Sequence, residues 1–282
     1  MRRMGILGPR GTHSEAAAVR LNELSAEKSE LVILPEIFEV LSAVETGQLD
    51  AGLVPVENSL EGSVNITLDT LARSETLIVA REFVYPIHNQ LMAKSGVELS
   101  AVTKIYSHAQ PISQCRKFLR ENFPAAELIT APSTARAAEI VAESGENCAA
   151  ICTNRAGVLN GLVTLAAEIQ DNMANTTRFF EVQHRAENFA PENLDGDKAL
   201  VICQIDGSRP GALCGVLEEF AWRRVNMTRI ESRPARTELG AYIFFFDLEV
   251  PAIKNLLFDA VEDVRRKSIW LKNLGVFPVI SA

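Results

Sequence analysis

The sequence contains no run of about 18 apolar residues, the length a membrane-spanning helix requires, although 47% of its 282 residues are hydrophobic. Its opening, MRRMGILGPRG, turns to glycine after a very short apolar stretch. It lacks the apolar core of an export signal and reads as a buried first strand. No membrane partner and a cytoplasmic location are therefore expected. Cysteine is sparse, with five residues scattered at 115, 148, 152, 203 and 214. Cys148 and Cys152 have no second ligand pair to complete a zinc site, so buried thiols in a reducing compartment are the expectation. Also missing are HExxH, a nucleophile elbow and a Walker A loop, and GPRG is not GxGxxG. Zinc-protease, α/β-hydrolase and nucleotide chemistry thus lack their signatures. No repeat of solenoid length is present.

Charge is uneven. Residues 1–197 carry 16 Lys/Arg and 26 Asp/Glu, a net of −10, whereas 198–282 carry 12 and 10, a net of +2. An acidic large region argues against nucleic acid as a partner. An anionic ligand would have to be held by local donors, not by the global field.

Strand and helix patterns alternate in the first part. MGILG (4–8), LVILP (31–35) and AGLVPV (51–56) read as strands. SEAAAVRLNEL (14–24), with Ser14 as its N-cap, and EIFEVLSAVETG (36–47) read as helices. Continuous apolar strands between helices predict a parallel sheet covered on both faces. TLIVAREFVYPI (76–87) and HNQLMAK (88–94) suit a crossing between lobes. The pattern then restarts with strands at 104–108, 126–130 and 148–152 and helices at 109–122 and 133–144. The polar segment RAENFAPENLDGD (185–197) is a linker by composition. Beyond it, strands at 198–205, 225–234, 240–250 and 269–279 and helices at 210–223 and 251–267 spell βαββαβ, a ferredoxin-like sandwich with a turn between its middle strands.

Ligands of such sheets sit beyond the carboxyl ends of the strands, where helix N-termini point. Five junctions there are rich in small hydroxyl and amide groups: GPRGTHS (8–14), PVENSLEGSVN (55–65), SHAQPISQC (107–115), PSTARAA (132–138) and residues 174–179. Each alone is indistinguishable from an ordinary N-cap. The run Asn175, Thr176, Thr177, Arg178 at a strand entrance has two readings: a loop that satisfies its own backbone, or a set of donors for an anion. Two further pairs of readings stay open. His108 is a general base or a helix cap, and Glu57 with Glu61 are an acid–base pair or solvated loop acids. The ring as a whole suits a small anionic molecule bound without a cofactor or metal.

GPRGTHSE, VPVENSLEGSVNITLD, SHAQPISQCRKFL, STARAA and NTTRFF, in this order, resemble the prephenate dehydratase domain. PGALCGVLEEFAWRRVNMTRIESRP resembles the ACT regulatory domain that follows it in that family. With no chorismate mutase segment before residue 1, the resemblance is to the monofunctional form. It implies an α/β, two-lobed, periplasmic-binding-protein-like (type II) catalytic domain over 1–185. Its first lobe would be about 1–80 with 171–185, and its second about 81–170. A linker at 186–197 and an α+β ferredoxin-like ACT domain at 198–282 would follow.

The implied reaction converts prephenate to phenylpyruvate, water and carbon dioxide, in a hydro-lyase of phenylalanine biosynthesis. By the family's motif Thr177 is catalytic, donating toward the departing hydroxyl, and Ser107, Asn58 and Gln114 match positions that hold the substrate. Thr12, Ser133 and Thr134 are implied carboxylate donors, Arg178 a bidentate carboxylate partner or a structural ion pair, and Phe179 a ring contact or a core residue. L-phenylalanine is the implied feedback ligand, held by Gly211, Ala212, Leu213, Asn226 and Glu231-Ser232-Arg233-Pro234, in a homodimer or homotetramer. His13, the Ala109 of SHAQ, Asn160 of NGL and DLEVP at 247–251 depart from the family's usual residues, which bears on the choice between prephenate and arogenate. The competing class is a two-lobed sensor, or an inactive regulator, without turnover.

Overall fold

In the computed structural model, which describes all residues except 146, 188, 192–194, 238 and 239, the apolar runs become strands and the intervening amphipathic segments cover them. The first lobe opens with β1 (Arg2–Leu7), α1 (His13–Leu24), β2 (Ser29–Leu34), α2 (Ile37–Glu45) and β3 (Ala51–Asn58). It continues through a two-residue β4 (Gly62–Ser63), α3 (Asn65–Arg73) and β5 (Leu77–Pro86). The second lobe contains β6 (Gln90–Ala93), β7 (Lys104–Ser107), α4 (Ala109–Gln114), α5 (Arg116–Asn122), β8 (Glu127–Thr130) and α6 (Thr134–Glu143). It ends with β9 (Cys148–Cys152), α7 (Asn154–Leu159) and β10 (Val163–Ala166), and β11 (Thr176–His184) returns to the first lobe. The C-terminal unit is β12 (Lys198–Gln204), α8 (Ala212–Trp222), β13 (Met227–Pro234), β14 (Tyr242–Glu249), α9 (Asn255–Lys267) and β15 (Trp270–Phe277), followed by β16 (Val279–Ser281).

The first sheet runs β16-β5-β11-β3-β1-β2 and the second β10-β6-β9-β7-β8. In each, three parallel strands are followed by one that arrives from the other lobe, and then by an outer strand of the lobe itself. This shared order is the type II two-lobed topology. It places the carboxyl ends of β1, β3, β7 and β8, and the start of the returning β11, around one inter-lobe cleft.

The C-terminal unit is antiparallel in the order β13-β14-β12-β15, as βαββαβ predicts. Alternation along its strands divides two cores. Val201, Cys203, Phe246 and Leu248 pack under α8 and α9 with Val216, Phe220, Leu257 and Val264. Leu200, Ile202 and Phe245 point the other way, into one continuous core with Leu77, Val79 and Phe180 of the first lobe. Phe180 meets Phe277 edge-on with ring centroids 5.7 Å apart.

Tertiary contacts override the sequence pattern at several places. β5 lies wholly in the first sheet, antiparallel to β11, so the crossing falls after Pro86 and not near residue 81. Residues 279–281 leave the C-terminal sheet and pair in parallel with β5, Val279 opposite Glu82, so the boundary at 198 does not close off an independent unit. Val279 N–H also donates to Asp197 Oδ2 at 2.8 Å. The helix expected over 109–122 is split at Cys115. Asp171 of the returning segment donates its N–H to the Gln114 carbonyl at 2.7 Å. Its carboxylate caps the next helix at Lys117 N, 3.1 Å away. Thr12, not Ser14, is the N-cap of α1, and α9 begins only at Asn255. The β4 hairpin, α3, α7 and β10 had no counterpart in the sequence pattern. Residues 188 and 192–194 of the expected linker, and 238 and 239 of the expected turn, lie outside the described residues.

Candidate active site

A cavity of about 520 Å³ opens between the lobes, and its wall includes Thr12, Asn58, Gln114, Ser133, Thr134, Thr177 and Phe179. Strand alternation explains the contribution of β11. Asn175, Thr177 and Phe179 face the cleft at a spacing of two residues, as a pleated strand requires. Phe179 is 1% exposed and packs into the first lobe's core, so it forms an apolar floor.

Thr177 is the best-defined polar group of the cleft. Asn58, at the end of β3, accepts from Leu60 N at 3.0 Å and Glu61 N at 3.1 Å through Oδ1. Those two donors settle which side of the amide is which. Nδ2 therefore donates, to Thr177 Oγ at 2.9 Å, to Asn175 Oδ1 at 2.9 Å and to Thr176 O at 3.2 Å. The Thr177 oxygen is an acceptor in this pair, so its own proton is directed elsewhere. Among the described residues it meets no acceptor, which leaves it for whatever fills the cleft. Asn175, only 1% exposed, donates in turn to Gln114 Oε1 of α4 at 3.3 Å and ties the two lobes together.

Two helices of the wall present their N-termini. Thr12 caps α1 by accepting from Glu15 N, and its hydroxyl donates to Pro9 O at 3.0 Å. Ser133 caps α6 by accepting from Arg136 N at 3.0 Å, and Thr134 is the first helical residue. Free N–H groups and the aligned peptide dipoles of such ends favour an anion. The loop before α1 also presses against the second lobe. Gly11 has φ +81°, and a Cβ there would lie 2.9 Å from Ala156 Cα, so only glycine permits this approach. Thr153 Oγ donates to the Gly11 carbonyl at 2.7 Å, and Arg155 pairs with Glu15 at 2.8 Å.

Two expected members, Ser107 and Arg178, are not on the cleft wall. Ser107 is fully buried and donates to Ile151 O at 2.7 Å. Its neighbour His108 is on the wall instead, as the N-cap of α4, accepting from Gln110 N at 3.4 Å. Arg178 projects from the opposite face of β11 and meets Glu57, Glu82 and Asp247 at 2.7, 2.6 and 2.6 Å. Burial pulls its pKa down, but those carboxylates outweigh it, and the net shift is upward. Arg178 is therefore the structural ion pair. Glu57 is engaged there and Glu61 lies on the cleft wall, so the two do not form an acid–base pair. His13 also lines the cleft, and burial lowers its pKa to about 4, partly opposed by the nearby Asn89 side chain. A neutral imidazole at ordinary pH supplies no cation for an anionic ligand.

The expected effector residues separate into two places within one chain. Gly211, Ala212 and Leu213 border a cavity of about 320 Å³ with Arg209, Tyr242 and Phe244. Gly211 sits at φ +80° immediately before α8, a conformation that favours glycine. Asn226 donates to Glu249 Oε2 at 2.9 Å. Glu231 and Arg233 face the first lobe, where they bind Ser63 at 2.6 Å and Asp69 at 3.0 Å. Ser232 and Pro234 alternate onto the exposed side of β13. The linking role of Asn175 escaped the motif reading, although its place two residues before Thr177 was a signal for it. Among the described residues no group of three or more His, Cys, Asp or Glu could hold a metal ion, and no helix is long and apolar enough to cross a membrane.

Fold and cleft together define a two-lobed α/β protein of the type II binding topology, with a cleft lined by hydroxyl, amide and helix-end donors. The family model for prephenate dehydratase matches residues 4–187. The prephenate dehydratase of Lactococcus lactis subsp. cremoris (strain MG1363) is 35% identical over 99% of this chain and 98% of its own length. The crystal structure of prephenate dehydratase from Arthrobacter aurescens in complex with L-Phe is 36% identical, covering 99% of this chain and 90% of that one, with a TM-score of 0.86. A structure described as a novel type of quorum quenching acylase, GqqA, superposes with the same TM-score of 0.86 at 26% identity, over 99% and 98% of the two chains. The chain belongs to the prephenate dehydratase family, whose members are hydro-lyases.

Proposed function

We propose that the chain converts prephenate to phenylpyruvate, with Thr177 as the group that hydrogen-bonds the departing hydroxyl. The observation that carries this reading is the Asn58–Thr177 pair, 2.9 Å apart, which turns the threonine proton toward the cleft. In prephenate the bond from the ring to its carboxylate breaks and leaves as carbon dioxide. Its electron pair completes the aromatic ring while the para C–O bond breaks. The hydroxyl takes up one proton and leaves as water. Aromatisation supplies the driving force, so the protein has only to orient the dianion and assist the leaving group. A threonine hydroxyl is a weak acid. Hydrogen bonding with a proton relayed through it suits the geometry better than outright transfer, and a positioned donor contributes about 10²–10⁴-fold. No base lies within hydrogen-bond reach of Thr177 Oγ among the described residues, so the arrangement favours donation over nucleophilic attack. The N-termini of α1 and α6, through Thr12, Ser133 and Thr134, are the proposed seats of the two carboxylates, and Gln114 completes the amide lining. Phe179 supplies the apolar floor.

The C-terminal unit is proposed to be an ACT regulatory domain that takes L-phenylalanine at the cavity beside Gly211, Ala212 and Leu213. Its βαββαβ order and the L-Phe present in the Arthrobacter aurescens relative support this assignment. β13 is an outer strand of its sheet, with Ile230 45% exposed, and side-by-side pairing there would give the proposed homodimer or homotetramer. The test is phenylpyruvate formation from prephenate, and separately from arogenate, by the purified chain with and without L-phenylalanine. Rapid formation suppressed by L-phenylalanine is the expected result. Tight L-phenylalanine binding with neither compound turned over would make the protein a sensor.

A further inference from the structure

The hairpin that carries Asn58 is gripped from outside the catalytic lobes. β3 and β4 pair Asn58 with Gly62 and, below it, Glu57 with Ser63, so the cleft-lining tip stands on the Glu57–Ser63 pair. Both members of that pair are held by one guanidinium of the C-terminal unit. Arg229 Nη2 donates to Ser63 Oγ at 2.7 Å, and its Nε stands 3.5 Å from Glu57 Oε1. Glu231, two residues along the same face of β13, accepts from Ser63 Oγ at 2.6 Å and from Arg229 at 3.1 Å. Glu57 continues to Arg178, directly beside Thr177 on β11. The Arg229 side chain is only 9% exposed, so these contacts are shielded from water.

We propose that Arg229 is a positioning residue for the catalytic cleft: through Ser63 and Glu57 it fixes the β3–β4 hairpin, and with it the Asn58 amide that orients the Thr177 hydroxyl. The proposal rests on the role given above to Thr177. Arg229 does not itself line the cleft, although its partner Ser63 does, and it belongs to a strand of another unit. The dehydratase lobes would thus be incomplete without β13. The grip is also not saturated. Arg229 Nη1 and Asp247 Oδ1 are buried without a partner, and the two residues are opposite one another in the β13–β14 register. Arg229 therefore has a second carboxylate beside it, and a small movement of β13 against β14 would trade its hold on Glu57 for one on Asp247. The state of the C-terminal sheet would be felt at Asn58 by this route.

The experiment compares the full chain with Arg229→Met, Arg229→Lys and Ser63→Ala in steady-state phenylpyruvate formation. Misplacing a reacting group by a fraction of an ångström lowers turnover more than binding. Arg229→Met is expected to lower kcat about tenfold with KM changed by less than about twofold. Arg229→Lys, which keeps a donor for Ser63, should restore kcat to within about threefold of the parent. A folded Arg229→Met protein with unchanged kcat overturns the proposal, as does a loss that lysine does not relieve. Should Arg229→Met fail to fold, Ser63→Ala carries the test: because Ser63 also lines the cleft, lower kcat supports the proposal only together with faster amide exchange over residues 59–64, and unchanged kcat or unchanged exchange overturns it. Should the parent itself show no turnover, the assigned reaction fails separately. Amide exchange over residues 59–64 then decides, faster in Arg229→Met if the grip is real and equal to the parent if it is not.

Discussion

Along β11, Thr177 faces a cleft where hydroxyls and amides keep spare hydrogen-bonding capacity. Arg178, one residue on, faces a packed junction where its guanidinium meets three carboxylates. The cleft holds its polar groups through uncharged pairs such as Asn58 with Thr177 and Asn175 with Gln114. The junction is held by charge, with Lys198 adding a further contact to the fully buried Glu82 at 2.9 Å. The difference teaches where an anion can bind. Neutral donors can exchange one another for a ligand at little cost, whereas removing Arg178 from its carboxylates would leave buried charges unpaired. Charge in this protein fastens the C-terminal unit, whereas the proposed substrate cleft presents dipoles and hydroxyls.

The comparison breaks first at Thr177. Thr177→Ala is expected to lower kcat for phenylpyruvate formation by about 10³-fold, or about 4 kcal/mol of barrier. It should leave the unfolding free energy within about 1 kcal/mol of the parent, because one partly satisfied hydroxyl is lost. Near-normal turnover in the alanine variant would remove the central role of the cleft face.

Arg178 gives the opposite signature. Arg178→Met is expected to cost about 3 kcal/mol of stability in denaturant unfolding, since it strands Glu82 and Asp247 in a buried junction. Lys198 remains beside Glu82 and limits the loss. A stable Arg178→Met protein with a selectively raised KM would instead make Arg178 a substrate ligand and erase the contrast between the two faces.

The smallest effect concerns Lys272 of β15, whose ammonium donates to Leu71 O at 2.7 Å where the C-terminal unit meets the first lobe. Burial lowers its pKa from 10.5 to about 8, partly opposed by Glu45. Between those values the unfolded chain holds a proton that the folded chain has released, so stability rises with pH across that window. Below about 8 both states are protonated and the burial penalty is fully present. Lys272→Met should therefore stabilise at pH 7.5 by on the order of 2 kcal/mol. The advantage should shrink toward pH 10, as read by unfolding midpoints at both values. An advantage independent of pH would place the ammonium in water.

Much of this was legible in the chain. The alternation of apolar runs and amphipathic helices marked two α/β lobes, and the βαββαβ order marked the third unit. The hydroxyl- and amide-rich junctions marked the cleft, because strand ends and helix starts are where free N–H groups collect. All five junctions reach the cleft wall, but the 107–115 junction offers His108 and Gln114 without Ser107, and the 174–179 junction offers Thr177 and Phe179 without Arg178. The period-2 rule was also available for β11 and would have sent Thr177 and Arg178 to opposite faces. The motif, read as one block, concealed it. Nothing local foretold the split of the 109–122 helix, because the group that divides it, Asp171, lies far along the chain.

The sequence by itself determined the elements, their order and the stock of donors, since these follow from local periodicity, capping and composition. Tertiary structure decided which face of each strand meets which neighbour. It sent Arg178, Glu231 and Arg233 into the junction and returned residues 279–281 to the first sheet. The physical reason is that burial and ion pairing are properties of surfaces brought together from distant parts of the chain. A charged side chain settles where its partners are, and only the folded molecule places them.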